Sequence, residues 1–400
     1  MEMESTYDPG TVEARWLGRR EPGSVLPPGA DARDPRAIVA DIFDRRAAMG
    51  DGASIEVAGP ERLEIDPAQA VGGIDAVRFG VALLHREASP HERGESRFGQ
   101  GRRFVGKLWH ASRFALTRIG EGDPSDDGEP RFEDRWILSR LNGAVLRIGE
   151  HLAAGRLAPA AERADTLVRR EFSEWYLPLV KPREDAASVG TLRKTVRKIL
   201  SLLYPFVPVM TEEIRTHFSR VLGEAPVALE EGPWPAADRA RIDEATDREM
   251  DVALRIVRQA RNLQSAAGVG EGGDALVRVD DGPEAEVVLR HADRIVRLAG
   301  LRSLRVGVDV DVPEGAATAV CGDSEVYLRF DRAVDTRAEL ARLTKEYEEL
   351  SGLVRACERQ LGNRDFLERA PAGIVAREVV RRDELADRIT RIRQHIEALE

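Results

Sequence analysis

The 400-residue chain has only two cysteines, Cys321 and Cys357, and they form no CxxC spacing. That excludes a local thiolate metal cluster and fits a reducing compartment. The histidines, at 85, 91, 110, 151, 217, 291 and 395, make no HxxxH, HxGH or HExxH pair. A histidine-based metal or phosphate site therefore has no local support. The longest apolar run, ILSLLYPFVPVM at 199–210, is too short to cross a bilayer and is cut by two prolines. No basic-then-apolar leader opens the chain. These absences predict a soluble, cytoplasmic protein with no membrane segment, no metal and no cofactor. Catalytic loops are missing as well. GVGEGG at 268–273 follows a helical stretch and carries no Lys-Ser/Thr, so it reads as a connector rather than a phosphate cradle. There is no Gly-X-Ser-X-Gly elbow. Carboxylate pairs such as Glu212-Glu213 and Asp126-Asp127 read as solvated faces.

What is present is charge. The formal net charge is −10, which gives no general case for a polyanion-binding protein, so any nucleic-acid contact must be local. One region runs against the trend: between Gly101 and Arg220, Lys and Arg exceed Asp and Glu by about five. Arg102, Arg103, Lys107 and Arg113 fall on one helical stretch. Arg193, Lys194, Arg197 and Lys198 fall on another, at i, i+1, i+4 and i+5. Phe104 and Trp109 stand beside the first group. Cations beside rings suit an RNA loop, because the cations hold phosphates while the rings stack on splayed bases. A plain solvated helix face has the same composition.

Periodicity organises the chain as mainly α. Residues 1–66 read as a short helix near TVEARWLGRR, a loose Gly/Pro linker, a helical stretch at 36–50 and a strand-like SIEVAG at 54–59. Residues 67–235 read as a bundle of about five helices, over 72–88, 101–118, 131–154, 158–180 and 187–221. Residues 236–333 read as a small α/β domain. It has a helix at 239–266, strands at 275–279, 301–307 and 325–330, and a helix at 283–299. Residues 334–400 carry two leucine- and isoleucine-striped helices, including Leu343, Leu350, Leu385 and Ile392. Joined by a short connection, they predict an antiparallel coiled-coil hairpin whose stripes bury against each other.

Several stretches resemble class I aminoacyl-tRNA synthetases. RFVGKLWHASRFAL at 103–116 and DRWILSRLN at 134–142 are similar to the first helices of that family's anticodon domain. FSEWYLPLVKP at 172–182, LLYPFVPVMTEEI at 202–214 and GPWP at 232–235 are similar to its later helices and exit. The tail narrows the resemblance to valyl-tRNA synthetase. Leu361, Asn363, Phe366, Ala370, Pro371, Val375 and Glu378 fit the motif of its coiled-coil arm, and YDPGTVEARW at 7–16 resembles its N-terminal motif.

The resemblance also marks what is gone. The family's catalytic and editing domains belong between those matching parts, where this chain has roughly 40 residues, little more than one βαβ unit. The His-Ile-Gly-His motif is absent, and Gly59-Pro60-Glu61-Arg62-Leu63 stands where the family has Lys-Met-Ser-Lys-Ser. The lost lysines are those that stabilise pyrophosphate in the transition state. Gly106 and His110 replace the usual Asn, which puts the family's anticodon reading in doubt. The resemblance implies a non-catalytic protein that binds tRNA, with valine tRNA a candidate. The bundle would take the anticodon stem-loop and the arm the outer corner, in a pathway that uses aminoacyl-tRNA or as a regulator. The competing reading is a protein-interaction scaffold with a vestigial tRNA surface, its arm docking a protein partner. Purified protein is expected to give no valine-dependent ATP–pyrophosphate exchange; exchange above the no-enzyme background would overturn the non-catalytic reading.

Overall fold

Amphipathic stripes at helical spacing must be buried, and here they are buried in two compact units, Met1–Asp247 and Arg248–Glu400. The computed structural model describes residues 3–17, 54–56, 62–64, 73–84, 94–121, 128–225, 227–229, 232–267, 271–279, 282–308, 310–311, 315–322, 324–330, 336–363, 366 and 372–399. The linker at 21–35, the helix expected over 36–50 and most of GPERLEIDP lie outside them.

The first unit starts with α1 (Pro9–Leu17). Ser54–Glu56 (β1) and Arg62–Glu64 (β2) form a small antiparallel pair, with Ile55 opposite Leu63. The second of these strands falls inside the stretch whose lysines are missing. The bundle follows: α2 (Ile74–Leu84), α3 (Gly94–Glu121) and α4 (Phe132–Ala153). α2 and α3 pack closely: Phe79 stacks on Phe104 with centroids 3.8 Å apart. Gly101 makes the approach possible, since a Cβ there would lie 2.1 Å from the Ala76 carbonyl oxygen.

Two stretches expected as single helices are divided. Residues 158–180 form α5 (Leu157–Asp165), a π-helix (Thr166–Tyr176) and α6 (Leu177–Val180). Residues 187–221 form α7 (Ala186–Leu203) and α8 (Pro208–Leu222). The break at Tyr204–Val207 follows from Pro205 and Pro208, which cannot donate to the helical ladder and favour a restart.

A buried ion cluster joins these helices. Arg183 is 8% exposed. Its guanidinium donates to Glu133 Oε1 at 2.7 Å, Asp134 Oδ2 at 2.7 Å and Asp185 Oδ1 at 2.7 Å. Tyr176 Oη donates to Asp134 Oδ1 at 2.8 Å. Asp185 also caps α7, accepting from Ser188 N at 3.0 Å. One arginine therefore ties the start of α4, the end of the π-helix and the start of α7.

The chain passes between the units within α9 (Glu244–Ala266). The second unit contains β3 (Asp274–Val279), α10 (Pro283–Arg290), α11 (Ala292–Ala299), β4 (Ser303–Gly307), β5 (Ala317–Cys321) and β6 (Ser324–Arg329). The sheet order is β4-β3-β6-β5, with β3 and β4 parallel and the other pairs antiparallel. Sequence periodicity misses β5: ATAVC is buried at every position, so it shows no alternation. α12 (Thr336–Leu361) and α13 (Ala372–Leu399) form the striped hairpin. Their stripes do not bury only against each other. Leu343, Leu350 and Ile392 share a cluster with Val320 of β5, so one end of the hairpin sits on the sheet.

Polar contacts fasten that seat. Arg388 pairs with Glu346 at 2.6 Å, and Arg342 donates to the Thr318 carbonyl at 2.5 Å. Tyr327 Oη donates to Glu325 Oε2 at 2.6 Å and meets His395 Nε2 of α13 at 3.3 Å. Burial alone pushes the Glu325 carboxyl up. Hydrogen bonding from the His395 ring, Tyr327 and Arg278 outweighs burial and holds it at about 2.

Two outcomes follow. Arg183→Met removes the buried cation that Glu133 and Asp134 face, so chemical denaturation should show a loss of about 3–5 kcal/mol; an unchanged midpoint would exclude the clamp. Glu325 has a depressed folded pKa, so its contribution is full above about 4.5 and is lost as pH falls toward about 2. In melts across that window, Glu325→Gln should flatten the acid-induced drop in Tm; an identical slope in both proteins would contradict the network.

Candidate nucleic-acid interface

Both basic clusters predicted from sequence sit on helices of the first unit; Lys107 of the first lines one groove, and Lys194, Arg197 and Lys198 of the second line another. The first groove, of about 330 Å³, runs between α3 and the π-helix–α6 segment. On α3, Lys107, His110, Ala111 and Phe114 fall at i, i+3, i+4 and i+7, one face of a helix. Ser173, Leu177, Pro178 and Lys181 form the opposite wall. Ser173 Oγ donates back to the Val168 carbonyl at 2.7 Å, which keeps its hydroxyl on the π-helix backbone. π-helical insertions are rare and often mark functional sites, because they push side chains out of the usual register. Lys107, His110 and Lys181 are exposed and Phe114 is half-buried. The result is a shallow aromatic surface between two ammonium groups, suited to a stacked base with its phosphates.

Arg102 and Arg103 are exposed on the same helix, and Arg113 is half-buried. Trp109 is a correction. It points inward at 2% exposure, donates to the Glu4 carbonyl at 3.1 Å, and packs on Tyr7 and His217 with centroids 5.3 and 6.5 Å away. It cannot offer a face to a base. Phe104 is likewise fully buried, against Phe79. Phe114, seven residues after Lys107, is the half-buried ring lining this groove that sequence reasoning passed over, and the i, i+7 spacing was the available signal.

The second cluster sits on α7, with Lys194 and Arg197 exposed and Arg193 and Lys198 half-buried. Lys194, Arg197 and Lys198 line a larger groove, of about 570 Å³, with Leu138, Leu141, Arg215, Trp234 and Arg241 also in its wall. Lys198 is a structural tie rather than a loose cation. Its Nζ donates to Asn142 Oδ1 at 2.9 Å and to the Ala236 carbonyl at 3.1 Å, and burial lowers its pKa. Arg197 pairs with Glu224 and lies over the Phe218 ring, 5.5 Å from its centroid.

The Glu212-Glu213 pair is not a solvated face. Glu212 accepts from Leu229 N at 2.8 Å. Glu213 accepts from Arg15 at 2.6 Å and from the Trp16 indole at 2.8 Å. Burial pushes the Glu213 carboxyl up, but the His217 ring, Trp16 and Arg15 outweigh it and hold it below its usual range. Glu213 thereby docks the N-terminal YDPGTVEARW helix onto α8.

In the arm, Leu361 and Phe366 are half-buried at the turn and Asn363 is exposed. Val375 and Glu378 are half-buried on α13, and Glu378 lies 3.8 Å from Arg381. Ala370 and Pro371 lie outside the described residues. Among the described residues, no helix is long and apolar enough to cross a membrane.

Two family models match in chain order. Residues 134–279 match the anticodon-binding domain of tRNA ligase, and residues 335–400 match the valyl tRNA synthetase tRNA binding arm. Similar curated proteins are valine–tRNA ligases. That of Dehalococcoides mccartyi is 31% identical over 82% of this chain and 39% of its own length. That of Geobacter sulfurreducens is 32% identical over 81% of this chain and 38% of its own length. That of Thermosynechococcus vestitus is 32% identical over 69% of this chain and 31% of its own length. The chain thus spans less than two fifths of the length of these relatives. A crystal structure of a LeuRS–tRNA–LeuAMS ternary complex from Agrobacterium radiobacter overlaps 45% of this chain and 22% of that one, at 18% identity and a TM-score of 0.34. By the order of its two matched domains and the extent of its relatives' match, the chain is a valyl-tRNA synthetase-related protein that carries that family's anticodon-binding domain and tRNA-binding arm.

Proposed function

We propose that this chain is a non-catalytic, cytoplasmic tRNA-binding protein, an accessory or regulatory factor that takes a tRNA by its anticodon loop and its outer corner. The observation that carries the reading is the groove between Lys107 and Lys181, with Phe114 and His110 between them, on the helical bundle that leads into the anticodon-binding match. Phe114 would stack on an unpaired base, while the two lysines hold the flanking phosphates. Arg102 and Arg103, exposed further along α3, extend the phosphate track. The arm, matched to a tRNA-binding arm, supplies the second contact.

The non-catalytic half rests on length and chemistry inside the chain. Roughly 40 residues separate the N-terminal motif from the Ile-Asp-Pro stretch, too few for a nucleotide-binding sheet. Valine tRNA is the first candidate ligand, because the similar proteins are valine–tRNA ligases. The net charge of −10 favours one competing role, a scaffold whose arm docks a protein.

Gel shift against total tRNA should show a complex that weakens steeply between about 50 and 200 mM salt, as phosphate contacts release counterions. Phe114→Ala should weaken it about 5- to 100-fold, the worth of one stacked base, with Tm unchanged. Trp109→Ala should instead lower Tm, since a core ring is lost. No shift at low salt with tens of micromolar protein would sink the tRNA reading and leave the scaffold.

A further inference from the structure

The larger groove on the first unit is built differently from the one with Phe114 and shares none of its residues. Its volume of about 570 Å³ falls within the size range of small-molecule sites. Its apolar floor comes from Leu138 and Leu141 of α4 and from Leu229. Trp234, half-buried between Pro233 and Pro235, supplies a flat aromatic wall. Among the described residues that line it, the cations are Lys194, Arg197, Lys198, Arg215 and Arg241, and the only carboxylate is Asp238.

The local charge is unbalanced in a specific way. Arg197 and Arg215 both lie 5.5 Å from the centroid of the Phe218 ring and share one carboxylate, Glu224. Arg215 Nη1 is buried and makes no hydrogen bond; the Glu224 oxygen is 3.7 Å from it. Lys198 is held by two neutral oxygens, of Asn142 and Ala236. Asp238 is already engaged by Arg241 at 3.1 Å. Two guanidiniums sharing one carboxylate, beside an ammonium on neutral acceptors, attract an anion with several oxygens. The apolar floor and the indole require that anion to carry a flat, weakly polar body. An aliphatic acid could pair with the arginines but would leave the indole face unused.

We propose that this groove binds a nucleoside phosphate, the base against Trp234 and the leucine floor and the phosphate at Lys194, Arg197 and Arg215. A free mononucleotide and an unpaired nucleotide of an RNA share that chemistry. The site does not depend on the groove beside Phe114.

The test is isothermal titration of the full chain with AMP, and separately with a penta-adenylate oligonucleotide. One-to-one binding is expected. Lys194→Glu, on an exposed residue, and Trp234→Ala should each weaken AMP binding about fivefold or more, while Phe114→Ala leaves AMP binding unchanged. Melting curves are recorded alongside, and the exposed Lys194 variant decides the matter if Trp234→Ala is unstable. AMP binding as tightly as the oligonucleotide identifies a free nucleotide as the ligand; an oligonucleotide more than about tenfold tighter identifies an RNA nucleotide. No heat from either ligand up to about 5 mM would overturn the site, as would binding that Lys194→Glu leaves intact or that Phe114→Ala removes. The tRNA shift is read on the same variants. No tRNA shift from the unsubstituted chain with AMP binding retained would fail the tRNA reading alone; a shift that Phe114→Ala weakens, with no heat from AMP or the oligonucleotide, would fail this site alone.

Discussion

Arg183 is the constraint on which the helical unit depends. It is buried, it cannot shed its charge, and three carboxylates from two helix starts converge on it. Desolvation works against the guanidinium, but Asp185, Asp134 and Glu133 more than compensate and hold its pKa well above the ordinary value. Such a cluster is weak evidence of net stability, because an apolar substitute of the same shape can do as well. What it supplies is a geometric tie: one guanidinium meets carboxylates of α4 and of the α7 cap, and Tyr176 of the π-helix donates to one of them. That arrangement shapes both grooves. The π-helix and α6 wall the one containing Phe114, while α4 and α7 wall the one containing Trp234.

The same economy recurs at Glu213 and Glu325. Each is a carboxylate that burial would neutralise, kept ionised by cations and hydroxyl or ring donors from distant segments. Glu213 brings the N-terminal helix to α8, and Glu325, through Tyr327 and His395, helps seat α13 on the sheet. In both places a short recognisable motif is attached to its domain by one buried acid. The N-terminal motif is thus packed on the bundle.

Much of the fold was legible because helical burial leaves a 3.6-residue trace. α4 follows it to within one residue at each end, and α9 ends where it predicts although it starts five residues later. It failed where tertiary burial erases periodicity, as in the uniformly buried β5, or where a break is chemical rather than periodic, as at Pro205 and Pro208. The candidate interface was legible in part. The placement of the cations on α3 and α7 was legible because charge on a helix shows in the spacing. The ring was misassigned, because Trp109 and Phe114 look alike in composition and differ only in which side of α3 faces the core.

By itself the sequence determined the helical class and the order of the motifs. These are properties of neighbours along the chain. Tertiary structure alone decided which charges are available to a ligand. Lys198 is tied to Asn142, 56 residues away, and Arg15 is tied to Glu213, 198 residues away. Exposure is set by partners that sequence spacing cannot reveal, because the desolvation of a charge depends on everything packed around it. The stretch at 59–63 is a case of both: the sequence shows that it holds no lysine, and the pairing of Arg62–Glu64 with Ser54–Glu56 shows part of it taken up in a small hairpin.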